Sequence, residues 1–401
     1  MRVLVFNCGS SSLKFRLLDM PAERELAGGE AQRIGPPTAL PSQIVYRVGD
    51  QPATRIEPMA NHADALSAVM RLLGETPGMV PEAVAHRLVH GGSRLDTDRQ
   101  VDEAVMRDLE AVRDLAPIHN PPAIDTLQAC RSAFPDLPQV VVSDTAYHRT
   151  IPVSAATYAL PRFMREDLGF RKYGFHGISH QYVVTQAAAM MGIPLERFHA
   201  VSCHLGSGGA SLCAVQGGRS VDNTMGYSPL QGLVMSTRSG DLDPGLTLRL
   251  LAHHGGDADR VESYLNRKAG VLGLSGRSAD IRDSLNPSGS IPVQERAQTT
   301  SQVYLWRLRK YLGAYLTVVG RADAIIFTDT IGECVPDVRE AVCADMECFG
   351  VRMDARLNRT VHPPCDVAAV DSRVRIWVIL TNEELSIARS AFRVLAPSCA
   401  A

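Results

Sequence analysis

A strand, a turn rich in glycine and serine, and a second strand occur twice in this sequence, about half a chain length apart. The first copy runs from Val3 to Ser12 and the second from Ala200 to Ser211. Asn7 and His204 occupy matching places in the two copies, 197 positions apart in a chain of 401 residues. This spacing indicates two duplicated halves that share a cleft.

Length and composition agree with two domains and limit the kinds of partner. A chain of 401 residues exceeds the roughly 250–300 residues at which one hydrophobic core stops growing. The net charge of −2 gives no positive field, so we expect no nucleic-acid or membrane partner. Nine cysteines without a C-x-x-C pair predict a reduced, cytoplasmic protein.

Short β-branched runs alternate with helical patterns along the chain, which predicts an α/β fold. The predicted strands are 2–6, 13–18, 139–143, 200–204, 210–215, 324–328 and 374–380. The predicted helices are 62–73, 103–115, 180–191 and 293–319.

The two Gly/Ser turns and two arginines have the chemistry that phosphate binding requires. Such turns offer backbone N–H groups where no side chain crowds a phosphate, although an ordinary tight hairpin has the same composition. Lys14 follows the first turn closely enough to reach a phosphate. Arg87 and Arg238 lie in polar, glycine-rich segments, and a guanidinium binds carboxylates or phosphates with two parallel hydrogen bonds.

Two further turns carry carboxylates. Asp144 ends the predicted strand 139–143, and Thr381-Asn382-Glu383-Glu384 follows the strand 374–380. We expect Thr381 to cap a helix with Glu384 completing a capping box, which leaves Glu383 without a structural explanation. Strand ends are where α/β folds place ligands.

Histidines at i, i+4 spacing raise the alternative of a zinc site. The pairs are His86 with His90 and His176 with His180. Neighbouring glycines disfavour a regular helix at either pair, and no H-E-x-x-H motif is present. A histidine that donates to a developing anion, or one that is simply packed in the core, fits these positions better.

Taken together, the motifs resemble the acetate kinase family of acyl kinases, within the actin and sugar-kinase superfamily. The matching segments are N-C-G-S-S-S-L-K-F (7–15), H-R-L-V-H-G-G (86–92), P-I-H-N-P-P (117–122), D-T-A-Y-H (144–148), Y-G-F-H-G-I-S-H (173–180), C-H-L-G-x-G (203–208), S-V-D-N-T-M-G-Y-S-P-L-Q-G-L (220–233), T-R-S-G-D-L-D-P (237–244), I-G-E (331–333) and T-N-E-E-L (381–385). The resemblance implies a duplicated two-domain actin-like (ribonuclease H-like) fold with an interdomain cleft. It also implies Mg²⁺-dependent phosphoryl transfer between ATP and acetate, giving acetyl phosphate and ADP.

The resemblance also implies a role for each matching residue. Catalytic roles fall to Asp144, His176 and Arg238, and metal binding to Asn7 and Glu383. Substrate binding falls to Arg87, Val89, Ile118, Phe175 and Pro229. Nucleotide or phosphate binding falls to Lys14, His204, Leu205, Gly206, Ser207, Gly208, Asp280, Ile281, Arg282, Thr330, Ile331, Gly332, Glu333 and Cys334. Mg²⁺ is the expected metal with Mn²⁺ as an alternative, and the expected assembly is a homodimer.

Departures from the family pattern cluster on the donor side, at Ser207, Asp329, Thr330 and Cys334. Thr330 stands where a glycine allows close approach, and Asp329 adds a negative charge where phosphates would sit. ATP still binds if the backbone shifts locally; otherwise pyrophosphate or another donor replaces it. An acceptor such as propionate or butyrate also stays open, because an apolar pocket discriminates one methylene by only about 1–3 kcal/mol.

Two other classes of function are alternatives: a non-catalytic, nucleotide-responsive actin-like binding protein and a zinc hydrolase. The first would be expected to have lost Arg87, Arg238 or Glu383, yet all three are present. The predicted domains are 1–150 with 385–401, and 151–384.

Overall fold

The computed structural model describes residues 1–9, 11–36, 40–49, 51–360 and 362–396. Backbone contacts divide the chain into two compact units. Unit 1 combines Met1–Tyr147 with the C-terminal stretch that begins at Asn382, and unit 2 is His148–Thr381. The predicted domain boundaries stay a prediction, and their last residues, 397–401, lie outside the described part of the chain.

Strands and helices alternate through the described chain. The strands are β1 (Arg2–Cys8), β2 (Ser12–Asp19), β3 (Arg24–Gln32), β4 (Gln43–Val48), β5 (Gln51–Ile56), β6 (Ala83–Leu88), β7 (Arg99–Gln100), β8 (Gln139–Ser143), β9 (Ala200–Leu205), β10 (Ala210–Gln216), β11 (Arg219–Asn223), β12 (Ala324–Thr328), β13 (Cys365–Asp366) and β14 (Arg375–Val378). The helices are α1 (His62–Gly74), α2 (Glu103–Ala111), α3 (Asn120–Ala133), α4 (Val153–Ala156), α5 (Arg162–Glu166), α6 (Gly177–Met190), α7 (Pro244–His253), α8 (Ala258–Arg267), α9 (Gly270–Ser275), α10 (Arg282–Leu285), α11 (Ile291–Val319), α12 (Asp329–Cys334), α13 (Pro336–Cys343), α14 (Ala355–Arg359) and α15 (Glu383–Leu395).

Each unit contains one mixed sheet, and the central strands follow the same order in both. Unit 1 has the order β5-β4-β3-β2-β1-β6-β8-β7 and unit 2 the order β11-β10-β9-β12-β14-β13. β1 pairs antiparallel with β2 and parallel with β6, while β9 pairs antiparallel with β10 and parallel with β12. The repeated strand, turn and strand unit therefore begins each sheet, as the sequence predicts. This arrangement confirms the α/β class and the duplication.

Apolar helices cover the central strands. Val3 to Phe6 are fully buried, which is the pattern of a central strand with helices on both faces of the sheet. In unit 1, α1 and α3 pack on the sheet through a cluster that includes Leu66, Val69 and Cys130. In unit 2, the long helix α11 contacts β9 and β10, and α6 contacts β9 and β12.

Several element boundaries differ from those predicted. Helix α6 begins at Gly177 rather than at 180, α11 begins at Ile291 rather than at 293, and β14 (Arg375–Val378) is shorter than the predicted 374–380. Strands β3–β7, β11 and β13 are not among the predicted strands. The predicted helix 103–115 ends at Ala111 and a short 3₁₀ turn, Arg113–Leu115, follows it. The predicted cap Thr381 is wrong, because Asn382 caps α15 by accepting a hydrogen bond from the Leu385 N–H. Asparagine is a strong N-cap, so the helix begins one residue later than expected and Glu384 falls outside a capping box.

No helix in the described ranges has both the length and the apolar character needed to cross a membrane.

Gly313 offers a direct test of how α11 packs. An added methyl group there meets no atom within 4 Å. Gly313→Ala should therefore stabilise the protein by about 0.5–1 kcal/mol, because alanine loses less backbone entropy in a helix. A higher urea midpoint of unfolding, followed by far-UV circular dichroism, would show this.

Gly29 in β3 is the contrasting position. A methyl group there would lie 2.4 Å from the Val45 carbonyl oxygen, so Gly29→Ala should destabilise by about 1–3 kcal/mol. A Gly29→Ala variant as stable as its parent would show that β3 and β4 are not paired in this register.

Candidate active site

The first group of predicted site residues lies at one edge of the unit 1 sheet. Asn7 is near the end of β1, Arg87 near the end of β6, and Asp144 directly after β8. These three strands are parallel neighbours, so their carboxyl ends meet at the same edge. Glu383, the first residue of α15, joins them. We call these four residues the polar edge of unit 1.

The Arg87 guanidinium holds the polar edge together. Its NH2 group donates to Asp144 Oδ2 at 2.6 Å and its Nε to Asp144 Oδ1 at 3.3 Å. Its NH1 group donates to Asn7 Oδ1 at 3.1 Å and lies 3.3 Å from Glu383 Oε2. One planar cation thus contacts three side chains from three separate segments.

Burial and charge act against each other at Arg87. Burial disfavours the charged guanidinium, but the carboxylates of Asp144 and Glu383 outweigh it and raise the pKa of Arg87 above its usual value. The Asp144 side chain is only 1% exposed, so this carboxylate depends on its cationic neighbour. The geometry favours an orienting role for Asp144, because both of its oxygens already bind Arg87.

Lys14 lies across the first hairpin from the polar edge. It pairs with Asn7 in the β1–β2 register, and its side chain is exposed. Paired residues of antiparallel strands have their side chains on the same face of the sheet, so the side chains of Lys14 and Asn7 lie on one face. The first turn includes Ser10, which is outside the described residues.

The second group of predicted site residues surrounds the β9–β10 hairpin of unit 2. The Gly206 N–H donates to the Gly209 carbonyl at 3.0 Å, which closes the turn and leaves Ser207 and Gly208 exposed at its tip. Leu205 is buried at the end of β9. A tight turn without bulky side chains is the shape predicted for a phosphate loop.

Three histidines pack beside this hairpin. His176 precedes α6 with a left-handed φ of 58°, and its ring stacks on that of His204 with centroids 4.2 Å apart. The Ser211 hydroxyl bonds both His176 Nδ1 and His180 Nε2 at 2.9 Å. Burial lowers the pKa of His180 well below its usual value, so His180 is neutral at pH 7.

Arg238 supplies a cation whose charge is not compensated by a carboxylate in the described structure. Its NH1 group donates to the Met235 sulfur at 3.9 Å, and burial lowers its pKa. A methyl group added to Gly209 would lie 3.4 Å from Arg238 NH1 and 3.5 Å from His176 Nε2. The guanidinium, the imidazole and the hairpin therefore lie close together, and the charge of Arg238 would attract an anion there.

The segment predicted to contact the nucleotide forms helix α12 after β12. Glu333 Oε1 accepts hydrogen bonds from the Asp329 N–H at 2.8 Å and the Thr381 N–H at 3.1 Å. It also accepts a hydrogen bond from the Thr328 hydroxyl at 3.3 Å. Its predicted contact with a ligand stays a prediction. Thr330 and Ile331 follow Asp329 in this helix, with Gly332 and Cys334 at its other end.

A small cavity adjoins the hairpin within unit 2. Its lining includes Gly206, Ser207, Asp280, Ile281 and Ile331, and its enclosed volume is about 10 Å³. Ligand pockets usually measure about 300–1,000 Å³, so this cavity has no room for a nucleotide base in the present conformation. Asp280 pairs with Arg282.

The residues of the predicted acyl pocket are divided between the units. Val89 and the exposed Ile118 lie in unit 1, while Phe175, which is 1% exposed, and Pro229 lie in unit 2. The pocket itself stays a prediction.

Several residues that position the site carry no recognisable sequence signal. Arg339 is fully buried and donates to the Gly332 and Glu333 carbonyls at the end of α12, so it fixes that segment. Burial lowers the pKa of Arg339 to about 10. Ser179 and Ser211 orient the histidines. An arginine inside a helix and isolated serines look ordinary in a sequence.

No three His, Cys, Asp or Glu side chains in the described ranges form a cluster that could hold a metal ion. His176 and His180 share Ser211, and His86 Nε2 bonds Gln139. These contacts give the zinc alternative no support.

Comparisons with known proteins agree along the whole chain. The model of the acetokinase family matches residues 2–389. An acetate kinase of Dictyoglomus thermophilum is 40% identical over 402 residues, covering 98% of this chain and 99% of that protein. An acetate kinase of Acetivibrio thermocellus is 41% identical over 401 residues, covering 98% and 99% respectively.

Solved structures show the same likeness. The crystal structure of Porphyromonas gingivalis acetate kinase superposes with a TM-score of 0.90 at 35% identity, covering 98% of this chain and 99% of that one. A propionate kinase from Francisella tularensis gives a TM-score of 0.88 at 32% identity, covering 97% and 98%. These matches confirm the predicted fold class.

The contacts of Arg87 predict a specific pattern of stability. Arg87→Met leaves the buried Asp144 without its cation and should destabilise the protein by about 3–5 kcal/mol. Adding Asp144→Asn removes that stranded charge, so the double variant should recover part of the loss. Urea unfolding of the single and double variants measures both effects.

Arg352 provides the control, because it is exposed and paired with Asp371. Arg352→Met should change stability by less than about 1 kcal/mol. A double variant no more stable than Arg87→Met would contradict the assignment of Arg87 as the counter-charge of Asp144.

Proposed function

Because this chain belongs to the acetokinase family, whose members are phosphotransferases with a carboxyl group as acceptor, we propose that it transfers a phosphoryl group between ATP and acetate. The products are acetyl phosphate and ADP. The observation that carries this proposal is the uncompensated Arg238 guanidinium, which lies beside His176 and the hairpin loop. A cation at that position can stabilise the negative charge of a phosphoryl group during its transfer.

The proposed mechanism is direct in-line transfer. The transition state of phosphoryl transfer is loose and highly charged, so catalysis consists mainly of positioning and charge stabilisation. Acetate is already ionised at pH 7 and needs no strong base. We assign binding of the acetate carboxylate to Arg87, whose guanidinium is oriented by Asp144. Arg238 and His176 stabilise the moving phosphoryl group.

Asn7 and Glu383 are the proposed metal-binding residues. Asn7 Oδ1 and Glu383 Oε2 both contact the Arg87 NH1 group, at 3.1 and 3.3 Å, so two oxygen ligands lie near each other beside that guanidinium. Mg²⁺ prefers oxygen ligands and is usually held by one or two carboxylates together with substrate phosphates. The residues therefore fit Mg²⁺, with Mn²⁺ as an alternative. A bound metal would neutralise phosphate charge.

The donor is proposed to be ATP, with its phosphates at Lys14 and the hairpin from His204 to Gly208. The adenosine would lie against Asp280, Ile281 and Arg282, with the segment Thr330–Cys334 on its other side. The small cavity next to this segment favours a second candidate, inorganic pyrophosphate, because pyrophosphate needs no room for a base.

The proposed acceptor is acetate, held by Arg87 with its methyl group among Val89, Ile118, Phe175 and Pro229. A likeness to a propionate kinase keeps propionate, and by extension butyrate, as alternatives, because one methylene changes binding by only about 1–3 kcal/mol.

We also propose a cytoplasmic homodimer. The eight cysteines in the described ranges are all free thiols, as expected in a reducing compartment. Unit 2 exposes large apolar side chains such as Trp306 and Leu248, at 74% and 67%, and a second copy would cover such surface. Light scattering after gel filtration would report the mass of the assembly.

A hydroxamate assay tests the function and the donor together. The protein is incubated with acetate, Mg²⁺ and hydroxylamine, and ATP, GTP and pyrophosphate are compared as donors. We expect acetyl hydroxamate with ATP. Activity with pyrophosphate alone would show that pyrophosphate, and not ATP, is the donor. The kinase proposal would be refuted if no donor gave a product and if no ATP formed from acetyl phosphate and ADP.

Arg238→Ala should lower kcat by about 10²–10³-fold, because it removes a charge that stabilises the transition state. Arg238→Lys should recover little, since lysine lacks the planar fork. Arg352→Ala is the matched control and should keep parental kcat, because that arginine is exposed and paired with Asp371. Near-parental turnover in Arg238→Ala would remove this residue from the mechanism.

A further inference from the structure

Asp329 has an unusual backbone conformation and a fixed side chain. It is the first residue after β12 and has a left-handed φ of 64°, which non-glycine residues seldom adopt. Its Oδ1 accepts hydrogen bonds from the Thr330 N–H at 2.6 Å and the Thr330 hydroxyl at 2.9 Å. Its Oδ2 lies 3.0 Å from His204 Nε2. The carboxylate is therefore oriented by two neighbours.

The same carboxylate lies against the hairpin loop. A methyl group added to Gly206 would come within 2.5 Å of Asp329 Oδ2. The negative charge is thus adjacent to the turn that the proposed function assigns to donor phosphates. Burial opposes this charge, but the hydrogen bonds from His204 and Thr330 outweigh it and lower the pKa of Asp329. Asp329 is ionised at neutral pH.

His204 is fully engaged by this arrangement. Its Nε2 donates to Asp329, while its Nδ1 bonds the Ser179 hydroxyl at 2.9 Å. Because both ring nitrogens have protein partners, a phosphate oxygen would have to displace Asp329 to reach Nε2. The carboxylate occupies the place on His204 that an anionic ligand would otherwise take.

We propose that Asp329 is a specificity-determining residue for the phosphoryl donor, one that makes binding depend on prior neutralisation of the donor by a divalent cation. The proposal rests on the proposed function, because it takes the hairpin as the donor phosphate site. Asp329 repels a metal-free polyphosphate and competes with it for His204. A metal complex carries two fewer negative charges, so it meets weaker repulsion.

Calorimetric binding of inorganic pyrophosphate and of ATP, each with Mg²⁺ and with EDTA, tests the proposal without turnover. Asp329→Asn removes the charge and keeps a residue that tolerates left-handed backbone. We expect its affinity for metal-free pyrophosphate to rise at least five-fold, and that for the Mg²⁺ complex to rise less. Asp329→Gly also frees His204 and should bind metal-free pyrophosphate at least as tightly.

Steady-state kinetics should show an effect on donor binding and little effect on acetate binding or turnover. In both variants the donor KM should fall, while the acetate KM and kcat should change less than two-fold. A purely structural role for Asp329 would instead lower kcat and leave the metal dependence of binding unchanged.

Asp345→Asn is the matched control, because Asp345 is an exposed aspartate with a left-handed φ of 51° in the same unit. This variant removes the same charge at a similar backbone position and should bind every donor as the parent does. Parental donor affinity in both Asp329 variants, or an equal gain in Asp345→Asn, would overturn the proposal.

The outcome is distinguishable from failure of the proposed function. A parent protein that binds pyrophosphate but forms no acyl phosphate would refute the kinase activity, while a gain in Asp329→Asn would still support the role of Asp329. If neither the parent nor any variant binds pyrophosphate or ATP, the role of Asp329 is refuted.

Discussion

The guanidinium of Arg87 is the interaction on which the polar edge of unit 1 depends. Asp144 is buried, and an unpaired buried carboxylate would be costly enough to unfold a marginal domain. Arg87 neutralises it, and the same cation contacts Asn7 and Glu383, which are far apart in sequence. One charge requirement therefore brings together the three residues that the proposed mechanism assigns to substrate and metal.

The two sheets share a strand order, but the arginine near the strand ends has different charged neighbours in each unit. In unit 1 the cation at the strand ends is surrounded by acidic partners, so its position is fixed before any ligand arrives. In unit 2, the only hydrogen bond of the Arg238 guanidinium within the described part of the chain is to the Met235 sulfur, whereas the carboxylate of Asp329 is paired with His204. The duplicated backbone thus supplies one preorganised cation and one cation available to an anion. These two kinds of cation fit the proposed reaction, in which one anion, acetate, is bound in place while the other, the phosphoryl group, is transferred.

The sequence was sufficient for seven strands, among them β1, β8, β9 and β12, and for the polar residues at their ends. It did not predict β6, because His86 and Arg87 interrupt its apolar run. Parallel pairing of β6 with β1 and β8 is nevertheless what brings Arg87 beside Asn7 and Asp144. The sequence was also insufficient where two neighbouring polar residues could each cap the same helix. Thr381 and Asn382 are both N-cap formers, and only the path of the backbone decides between them. The contact of Glu333 with the Thr381 N–H was equally hidden, because it joins residues 48 positions apart.

Asp329 shows why a departure from a family pattern needs coordinates before it can be interpreted. A left-handed aspartate costs about 1–2 kcal/mol of backbone strain, which glycine would avoid. Hydrogen bonds to a charged group contribute about 1.5–3 kcal/mol each when buried, and somewhat less here because 29% of this side chain is exposed. Three such bonds offset the strain, so the conformation is stable and the carboxylate cannot turn away from the hairpin. Its charge must therefore act on any phosphate bound there.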